Sequence, residues 1–424
     1  MSKYSLIFIV AFAVLSAVNA QPVSMQAALK KAQRLMPQKE FEVWKSRKVR
    51  SNSDISPNAY YVFNDKKNGG FVLVSGDERT EEILGYSYTG YFDADNLPTN
   101  VSWWLKGYMQ ILESLPRMSA KDNGHEIERR TSANEYNIKK TITPLLKTKW
   151  GQTAPYNCKC PLVNGKPCLT GCVATAVAQV MNYYGSPVSS RATYKYRTLT
   201  HKILMPALPA AEFDWNNMLN EYDDESPNAA KDAVATLMLY SGCVLSMDYT
   251  PEGSGADSTP VCDAMEYFFD YDENIQKVYR SDYDSQAWED LIYNELEKAY
   301  PVYYSGRNND SGHAFVCDGY DKGFFHINWG WSGLYDGYFK LSILYPNNGS
   351  YDETETDEGY SQEQMAVINI VPRDFQATDI TAIDNGQQKA YKVYDMSGRN
   401  STRMQRGVNI IRSADGTTRK VLVK

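Results

Sequence analysis

The chain has 424 residues and a formal net charge of −7; 43% of its residues are hydrophobic and 22% are charged. This length is enough for two or three domains, and the composition is ordinary for a folded globular protein. The acidic balance gives no indication of a surface for nucleic acid, so no nucleic-acid partner is expected.

The first twenty residues have the pattern of an export signal. Lys3 supplies a positive charge, residues 6–18 are almost all apolar, and Ala20 is the small residue before a cleavage point at Gln21. The apolar run is too short to span a bilayer as a mature helix. We therefore expect residues 1–20 to be removed, and the mature protein to be secreted or held at the cell surface without a membrane span. A buried N-terminal helix is the alternative.

Residues 21–118 predict a small α+β unit without a catalytic constellation. Apolar residues at helical spacing predict an amphipathic helix that ends at or before Pro37. Strand-like runs follow, the first two joined by turn-forming residues, and a second helical pattern closes the unit. The predicted helices are 24–36 and 103–112, and the predicted strands are 59–63, 70–75 and 83–87.

Two segments flank the central part of the chain, residues 141–371. Residues 119–140 are polar and charged, with Arg129 and Arg130 in the middle, and predict an exposed linker open to proteolysis. Residues 372–424 predict a small all-β module. Its predicted strands are 393–399, 407–412 and 420–424.

The central part carries a candidate nucleophile and a candidate base. Cys172 follows Gly171 and opens a run of small and apolar residues that predicts a helix. A thiol at a helix N-terminus lies beside unpaired N–H groups and the positive end of the dipole, which favour the thiolate. His313 stands at the head of an apolar strand and completes a candidate nucleophile–base pair.

A hairpin after His313 offers a residue to orient the imidazole. Its strands are predicted at 313–318 and 324–329, around a turn at 320–323. With Asp321 and Lys322 as a two-residue loop, Phe315 lies opposite Asn328, and Asn328 then shares a face with His313. Its amide would accept the imidazole N–H and fix the tautomer. A one-residue slip would move Asn328 to the other face.

A third element supplies the oxyanion donors that acyl transfer requires. The backbone N–H of Cys172 is one donor, and the side-chain amide of Gln152 is the other. Each signal alone has a more common structural explanation, since most apolar-helix cysteines are buried and inert. His326 is expected to have such a packing or hydrogen-bonding role. Together, however, Gln152, Cys172, His313 and Asn328 occur in the chain order of papain-like enzymes.

The cysteine pattern gives no support for a metal centre. The chain has seven cysteines, an odd number that leaves at least one thiol unpaired in an exported protein. Cys158, Cys160 and Cys168 precede Cys172 without a CxxC pair, and the four histidines are scattered, so a zinc site is disfavoured. No metal and no organic cofactor is expected.

These motifs resemble the streptopain family of papain-clan cysteine peptidases over residues 141–371. The resembling stretches are GCVATA at 171–176, GHAFV at 312–316, HINWGW at 326–331, SMDY at 246–249 and EGSG at 252–255. The preceding unit resembles the inhibitory prodomain of that family in YYVF at 60–63, GFVLV at 70–74 and SWWL at 102–105. The resemblance implies an α+β architecture: a papain-like, two-lobed peptidase domain with an N-terminal α+β prodomain.

The resemblance also implies a role for each matching residue. Cys172 would be the nucleophile, His313 the general base and acid, and Gln152 the oxyanion donor. The orienting role is left between Asn328 and Trp329, with Trp329 also shielding the site from water. Main-chain contacts to an extended substrate would come from Ser254 or Gly255 and from Gly312.

The C-terminal block resembles the β-sandwich sorting modules of type-IX-secretion cargo, on YDMSGR at 394–399 and KVLVK at 420–424. A β module that packs on the peptidase is the alternative. The whole pattern predicts a secreted cysteine endopeptidase, made as a precursor, that acts on proteins or peptides and has its own prodomain as an intramolecular inhibitor. A catalytically silent binding or inhibitor protein and an acyl transferase such as a transglutaminase are the other functions considered.

Overall fold

The structure is a computed structural model that describes residues 22–44, 59–98, 101–109, 139–307, 312–341 and 362–375, except 79 and 103. It also describes four short strand segments between 392 and 423. The predicted signal, residues 1–20, and positions 119–138 of the predicted linker lie outside these ranges. Among the described residues, no helix combines the length and the apolar character that crossing a membrane requires.

The N-terminal part contains helix α1 and four antiparallel strands. These elements are α1 Met25–Leu35, β1 Phe41–Val43, β2 Tyr60–Asp65, β3 Phe71–Ser75 and β4 Ile83–Ser87. The Ser24 hydroxyl caps α1 by accepting from the Ala27 N–H at 3.2 Å, and the helix ends before Pro37. The predicted first helix and three strands are therefore present, whereas β1 was not predicted. Residues 101–102 and 104–109 are helical, within and just before the second predicted helix.

The central part contains four helices and most of the remaining strands. The helices are α2 Cys172–Tyr184, α3 Asn228–Val244, α4 Val261–Phe269 and α5 Ser285–Glu297. The strands are β5 Leu162–Val163, β6 Lys166–Pro167, β7 Tyr196–Arg197, β8 Leu204–Met205, β9 Gln276–Tyr279, β10 Val302–Arg307, β11 Gly312–Asp321, β12 Phe324–Asn328, β13 Gly337–Phe339 and β14 Gln362–Ile368. Every residue of α2 from Val173 to Met181 is buried, because small side chains let it pack closely against α3 and β11.

A ten-stranded antiparallel sheet joins the N-terminal and central parts, in the order β1-β2-β3-β4-β13-β12-β11-β10-β14-β9. The junction is the pairing of β4 with β13, where Tyr86 lies opposite Tyr338. Alternate residues of β11 enter two different cores. Ala314 and Val316 pack with α2, α3 and α4, while Phe315 and Cys317 pack with α5 and the N-terminal part. This arrangement confirms the α+β class.

The β11–β12 hairpin is present, but its predicted register is wrong. The two-residue loop is Lys322 and Gly323, both with positive φ (51° and 84°), as a type I′ turn requires. A bulge between Cys317 and Gly319 then adds one residue to β11. As a result Asn328 lies opposite Val316, not Phe315, and is displaced to the face that carries α2.

Residues 374–424 form a separate compact unit. It contains a four-stranded antiparallel sheet in the order β16-β15-β17-β18. Its strands are β15 Lys392–Tyr394, β16 Asn400–Ser401, β17 Gly407–Arg412 and β18 Thr418–Val423. The predicted strand at 407–412 is confirmed, and the predicted strand near 420 is present but begins at Thr418. Of the predicted strand at 393–399, residues 395–399 lie outside the described residues.

Candidate active site

Cys172 is the first residue of α2, and the residue before it has to be glycine. Gly171 has a φ of +86°, and a Cβ at this position would lie 2.5 Å from Met247 Sδ and 3.1 Å from the Ser254 carbonyl oxygen. The absence of a side chain lets the loop that contains Met247 and Ser254 approach the helix N-terminus closely. The thiol is thus positioned beside the segment that the sequence assigned to substrate binding.

Opposing effects act on the Cys172 thiol. Burial raises the pKa of this thiol above its usual value, and the backbone N–H groups of Ala314, Val173 and Cys172 itself act in the opposite direction. Two of these N–H groups belong to the start of α2, as expected for a helix N-terminus. The third belongs to Ala314, the residue after His313, so the sulfur lies against the strand that carries the candidate base.

The His313 ring is held in one orientation. Only 7% of the residue is exposed, and its Nε2 lies 3.1 Å from the main-chain carbonyl oxygen of Trp329. A carbonyl oxygen can only accept, so Nε2 carries the proton and Nδ1 is left as the basic nitrogen. Trp331 stacks on the ring with centroids 6.2 Å apart and planes 12° from parallel. Burial lowers the pKa of His313 to about 4, partly opposed by the Trp329 hydrogen bond.

The environment of Cys172 and His313 bears on the thiolate–imidazolium pair that the sequence predicts. Among the described residues, no hydrogen bond joins the Cys172 thiol to the His313 ring. Burial raises the pKa of the thiol and lowers that of the imidazole, so burial favours the neutral form of each group. Burial therefore opposes charge separation, while the Ala314 N–H holds the sulfur against the strand that carries His313.

The main chain of Gln152 is bonded close to Cys172. Its main-chain carbonyl accepts from the Thr170 N–H at 3.1 Å, which fixes it two residues away from Cys172. The residue is 5% exposed, and within the described part of the chain its side-chain amide has no hydrogen-bond partner. A buried amide on a segment bonded to the residues just before the thiol suits an oxyanion site.

The structure separates the two candidates for orienting the imidazole. Asn328 Oδ1 accepts from Gln179 Nε2 at 3.0 Å and from the Gly330 N–H at 3.1 Å, and Asn328 Nδ2 donates to the Thr148 carbonyl at 2.8 Å. The predicted hydrogen bond from the imidazole to the Asn328 amide is therefore wrong, because the bulge shifts Asn328 toward α2. The main-chain carbonyl of Trp329 takes that position, and the Trp329 indole packs on Phe315 at 4.9 Å.

The residues expected to contact substrate lie on two segments. Gly255 and Asp248 exchange main-chain hydrogen bonds of 2.8 and 3.2 Å, so both polar groups of Gly255 are already paired. Ser254 Oγ accepts from the Thr250 N–H at 2.9 Å, which turns the loop so that the Ser254 carbonyl approaches Gly171. Gly312 is exposed at the start of β11, opposite Arg307. Ser254 and Gly312 are thus better placed than Gly255 for main-chain recognition.

Several residues around the site were missed from the sequence. Gln179 is fully buried in the middle of α2, and the only signal for it is a polar residue inside an apolar helix. Trp331, which stacks on His313, is in the HINWGW stretch but was assigned no role. Asp336 Oδ1 accepts from the Trp329 N–H at 2.8 Å, and burial raises the pKa of this carboxyl to about 7. Gln179 binds Asn328 and Asp336 binds Trp329 through hydrogen bonds, whereas Trp331 stacks on the His313 ring itself.

His326 has the hydrogen-bonding role expected for it. Its Nδ1 lies 2.6 Å from Asp318 Oδ1, and the other Asp318 oxygen accepts from the Leu146 N–H at 2.9 Å. Burial lowers the pKa of His326, but the negative charge and hydrogen bond of Asp318 outweigh burial and leave this pKa raised. In the described part of the chain, no group of three His, Cys, Asp or Glu side chains is placed to hold a metal ion. All seven cysteines are free thiols.

Two family descriptions match the chain. Residues 150–339 match the model of the peptidase C10 family, and residues 20–112 match that of the Spi protease inhibitor. Streptopain of Streptococcus pyogenes is 34% identical over 343 residues, which cover 77% of this chain and 84% of streptopain. The thiol protease/hemagglutinin PrtT of Porphyromonas gingivalis is 36% identical over 335 residues, or 76% of this chain and 38% of PrtT.

A solved structure extends the similarity to the fold. A fragment of Prevotella intermedia prointerpain A superposes with a TM-score of 0.62 at 30% identity, covering 78% of this chain and 99% of the fragment. The likeness thus covers the N-terminal and central parts together, and it confirms the papain-like α+β fold predicted from the sequence.

Proposed function

Because the chain belongs to the peptidase C10 family of streptopain-like cysteine peptidases, with a prodomain that resembles the Spi inhibitor, we propose that Cys172 and His313 form the catalytic pair of a secreted endopeptidase. One observation carries the assignment. The Cys172 sulfur lies against the Ala314 N–H, while the Trp329 carbonyl holds the adjacent imidazole by Nε2 and leaves Nδ1 basic.

Catalysis follows from these positions. His313 Nδ1 takes the thiol proton, and the thiolate attacks the carbonyl carbon of the scissile peptide bond. The Cys172 N–H and the Gln152 amide stabilise the oxyanion of the tetrahedral intermediate. The imidazolium, stabilised at Nε2 by the Trp329 carbonyl, protonates the leaving amine. Water activated by the same imidazole then hydrolyses the thioester and restores the thiol.

Substrate is bound as an extended strand in this proposal. The Ser254 carbonyl beside Gly171 and the exposed main chain of Gly312 offer hydrogen bonds on the two segments that meet at the thiol. Gly255 serves by holding this loop through its pairing with Asp248. A protein or peptide of varied sequence fits such main-chain recognition.

Precursor activation is the second part of the proposal. Burial favours the neutral forms of Cys172 and His313 in the full-length chain, which suits a zymogen. Cleavage between residues 119 and 140 would release the prodomain, and N-terminal sequencing of the active form tests this: a mature start before Asn100 contradicts it. Removal of residues 1–20 and a sorting role for residues 372–424 complete the proposed route out of the cell.

The test of the pair is the variant Cys172→Ala. We expect it to abolish azocasein hydrolysis, while Cys158→Ala, which removes an exposed thiol elsewhere, leaves hydrolysis unchanged. An epoxide inhibitor of thiol proteases should label Cys172 in the activated wild type. Hydrolysis by Cys172→Ala would refute the assignment, and absence of labelling would favour a silent binding protein. Products that lose ammonia, instead of gaining water, would indicate an acyl transferase.

A further inference from the structure

Gln179 occupies the centre of a closed ring of buried hydrogen bonds. Its Nε2 donates to Asn328 Oδ1 at 3.0 Å, and its Oε1 accepts from Thr148 Oγ1 at 2.8 Å and from the Trp150 N–H at 3.4 Å. Asn328 Nδ2 donates to the Thr148 carbonyl at 2.8 Å, which closes the ring. Gln179, Thr148 and Asn328 are 0%, 4% and 3% exposed, so water does not replace these bonds.

The ring connects the three chain segments that carry the proposed chemistry. Gln179 lies on α2, two helical turns after Cys172 and on the same face of the helix. Thr148 and Trp150 lead directly to Gln152, the proposed oxyanion donor. Asn328 ends β12 and begins the segment that orients His313. One side-chain amide therefore contacts each of the three segments.

The connection to His313 runs through a single peptide group. Asn328 Oδ1 accepts the Gly330 N–H at 3.1 Å, and the Trp329 carbonyl accepts from His313 Nε2 at 3.1 Å. This N–H and this carbonyl belong to the same planar Trp329–Gly330 peptide, so fixing one fixes the direction of the other. Gly330 has a φ of +73°, and a Cβ there would lie 3.2 Å from Thr175 Cγ2 in the first turn of α2.

We propose that Gln179 is a positioning residue for catalysis: its amide holds Asn328, and through it the Trp329–Gly330 peptide, in the orientation that directs the His313 imidazole toward Cys172. The proposal rests on the function proposed above. Both polar atoms of the amide are needed, because Nε2 donates one hydrogen bond and Oε1 accepts two. An apolar side chain of the same size fills the space but removes the bond to Asn328 Oδ1, so Asn328 holds the peptide less firmly.

The first test is Gln179→Met, which keeps the side-chain length and removes the hydrogen bonds. The full-length chain is activated by one common treatment and normalised by titration with the epoxide inhibitor. Because small misplacements of catalytic groups cost up to about 100-fold, we expect kcat to fall on the order of tenfold with KM within about twofold. The matched control is Asn182→Leu on the same helix, whose contact is a long 3.7 Å bond to Met218 Sδ, with unchanged kcat.

The second test is Gln179→Glu, which separates positioning from packing. A protonated carboxylic acid offers one donor and one acceptor, as the amide does, and burial raises the pKa of a carboxyl group. Below that raised pKa the introduced carboxyl group is protonated and the variant is active. As the pH rises through the pKa, the carboxyl group ionises and the variant loses activity. We expect a descending limb in the kcat profile that is absent from wild type and from Asn182→Leu.

The outcomes distinguish this proposal from the one on which it rests. An inactive wild type, or an active Cys172→Ala, would overturn the proposed function. With those two behaving as expected, a Gln179→Met enzyme with wild-type kcat, or a Gln179→Glu profile that superimposes on wild type, overturns the positioning role alone. Should Gln179→Met fail to fold, as thermal denaturation would show, the Gln179→Glu profile decides.

Discussion

Replacement of Asp321 by alanine should loosen the prodomain from the peptidase. Asp321 lies at the end of β11 and is 5% exposed. Its Oδ2 accepts from the hydroxyls of Tyr86 at 2.8 Å and Tyr88 at 3.1 Å, both in the prodomain, and its Oδ1 accepts from Thr141 Oγ1 at 2.9 Å. The carboxylate thus connects the hairpin of the peptidase to the prodomain at two points.

The magnitude follows from the exposure of the two tyrosines. Tyr86 is fully buried, so its hydroxyl loses a charged partner without gaining water, at about 2 kcal/mol. Tyr88 is 38% exposed and rehydrates, so its contribution is about 1 kcal/mol. The sum of about 3 kcal/mol corresponds to a change of about 100-fold in the equilibrium between docked and undocked prodomain.

Two assays measure this loss. Urea denaturation of the full-length Asp321→Ala chain should show the lower stability, and its activation on incubation should proceed faster than that of wild type. Tyr88→Phe is the graded control and should lose about 1 kcal/mol. The reasoning is refuted if Asp321→Ala denatures at the wild-type urea midpoint and activates at the wild-type rate.

Two further predictions concern the proposed site itself. Gln152→Ala should lower kcat by about 10²–10³-fold with little change in KM, because its amide acts only on the oxyanion, and steady-state kinetics that show a raised KM alone would contradict this. In the full-length chain, the raised pKa of Cys172 should make its alkylation by iodoacetamide slow at pH 7 and faster as pH rises through that pKa. Mass mapping of the modified peptide separates Cys172 from the exposed Cys158, and a rate that is already maximal at pH 6 would rule out a neutral thiol.

Features encoded by local pattern were predictable from the sequence. The run of small residues after Gly171 predicted the start of α2 at Cys172, and the turn residues at 320–323 between two strand-like runs predicted the hairpin. The α+β prodomain was readable for the same reason, since its strands and turn residues are contiguous. In each case the structural signal lies within about ten residues of chain.

The register of the hairpin was not predictable, because it depends on two features that periodicity does not encode. One is the choice of Lys322 and Gly323 for the loop, and the other is the bulge beside Asp318. That bulge is where the Asp318 carboxylate binds His326 and its main-chain carbonyl accepts from Leu145. Tertiary contacts set the position of Asn328, and so the Trp329 carbonyl, not the Asn328 amide, contacts His313.

The Gln179 ring was missed for a related reason. A single glutamine in an apolar helix has no partner that the sequence can identify, because Thr148 and Asn328 are 31 and 149 residues away along the chain. Trp331 was visible within a motif, but only the structure shows its ring stacked on His313.

The pairing of β4 with β13 has a consequence for the enzyme that the proposed cleavage would release, because that cleavage would remove the first four strands. A sheet that loses neighbours exposes unpaired main-chain groups, and long exposed borders recruit other chains into aggregates. Here β13 is three residues long, from Gly337 to Phe339, and only Tyr338 and Phe339 pair with β4. The edge strand that this cleavage would expose is therefore short. The ten-stranded sheet can lose its first four strands without leaving a long edge on which other chains could pair.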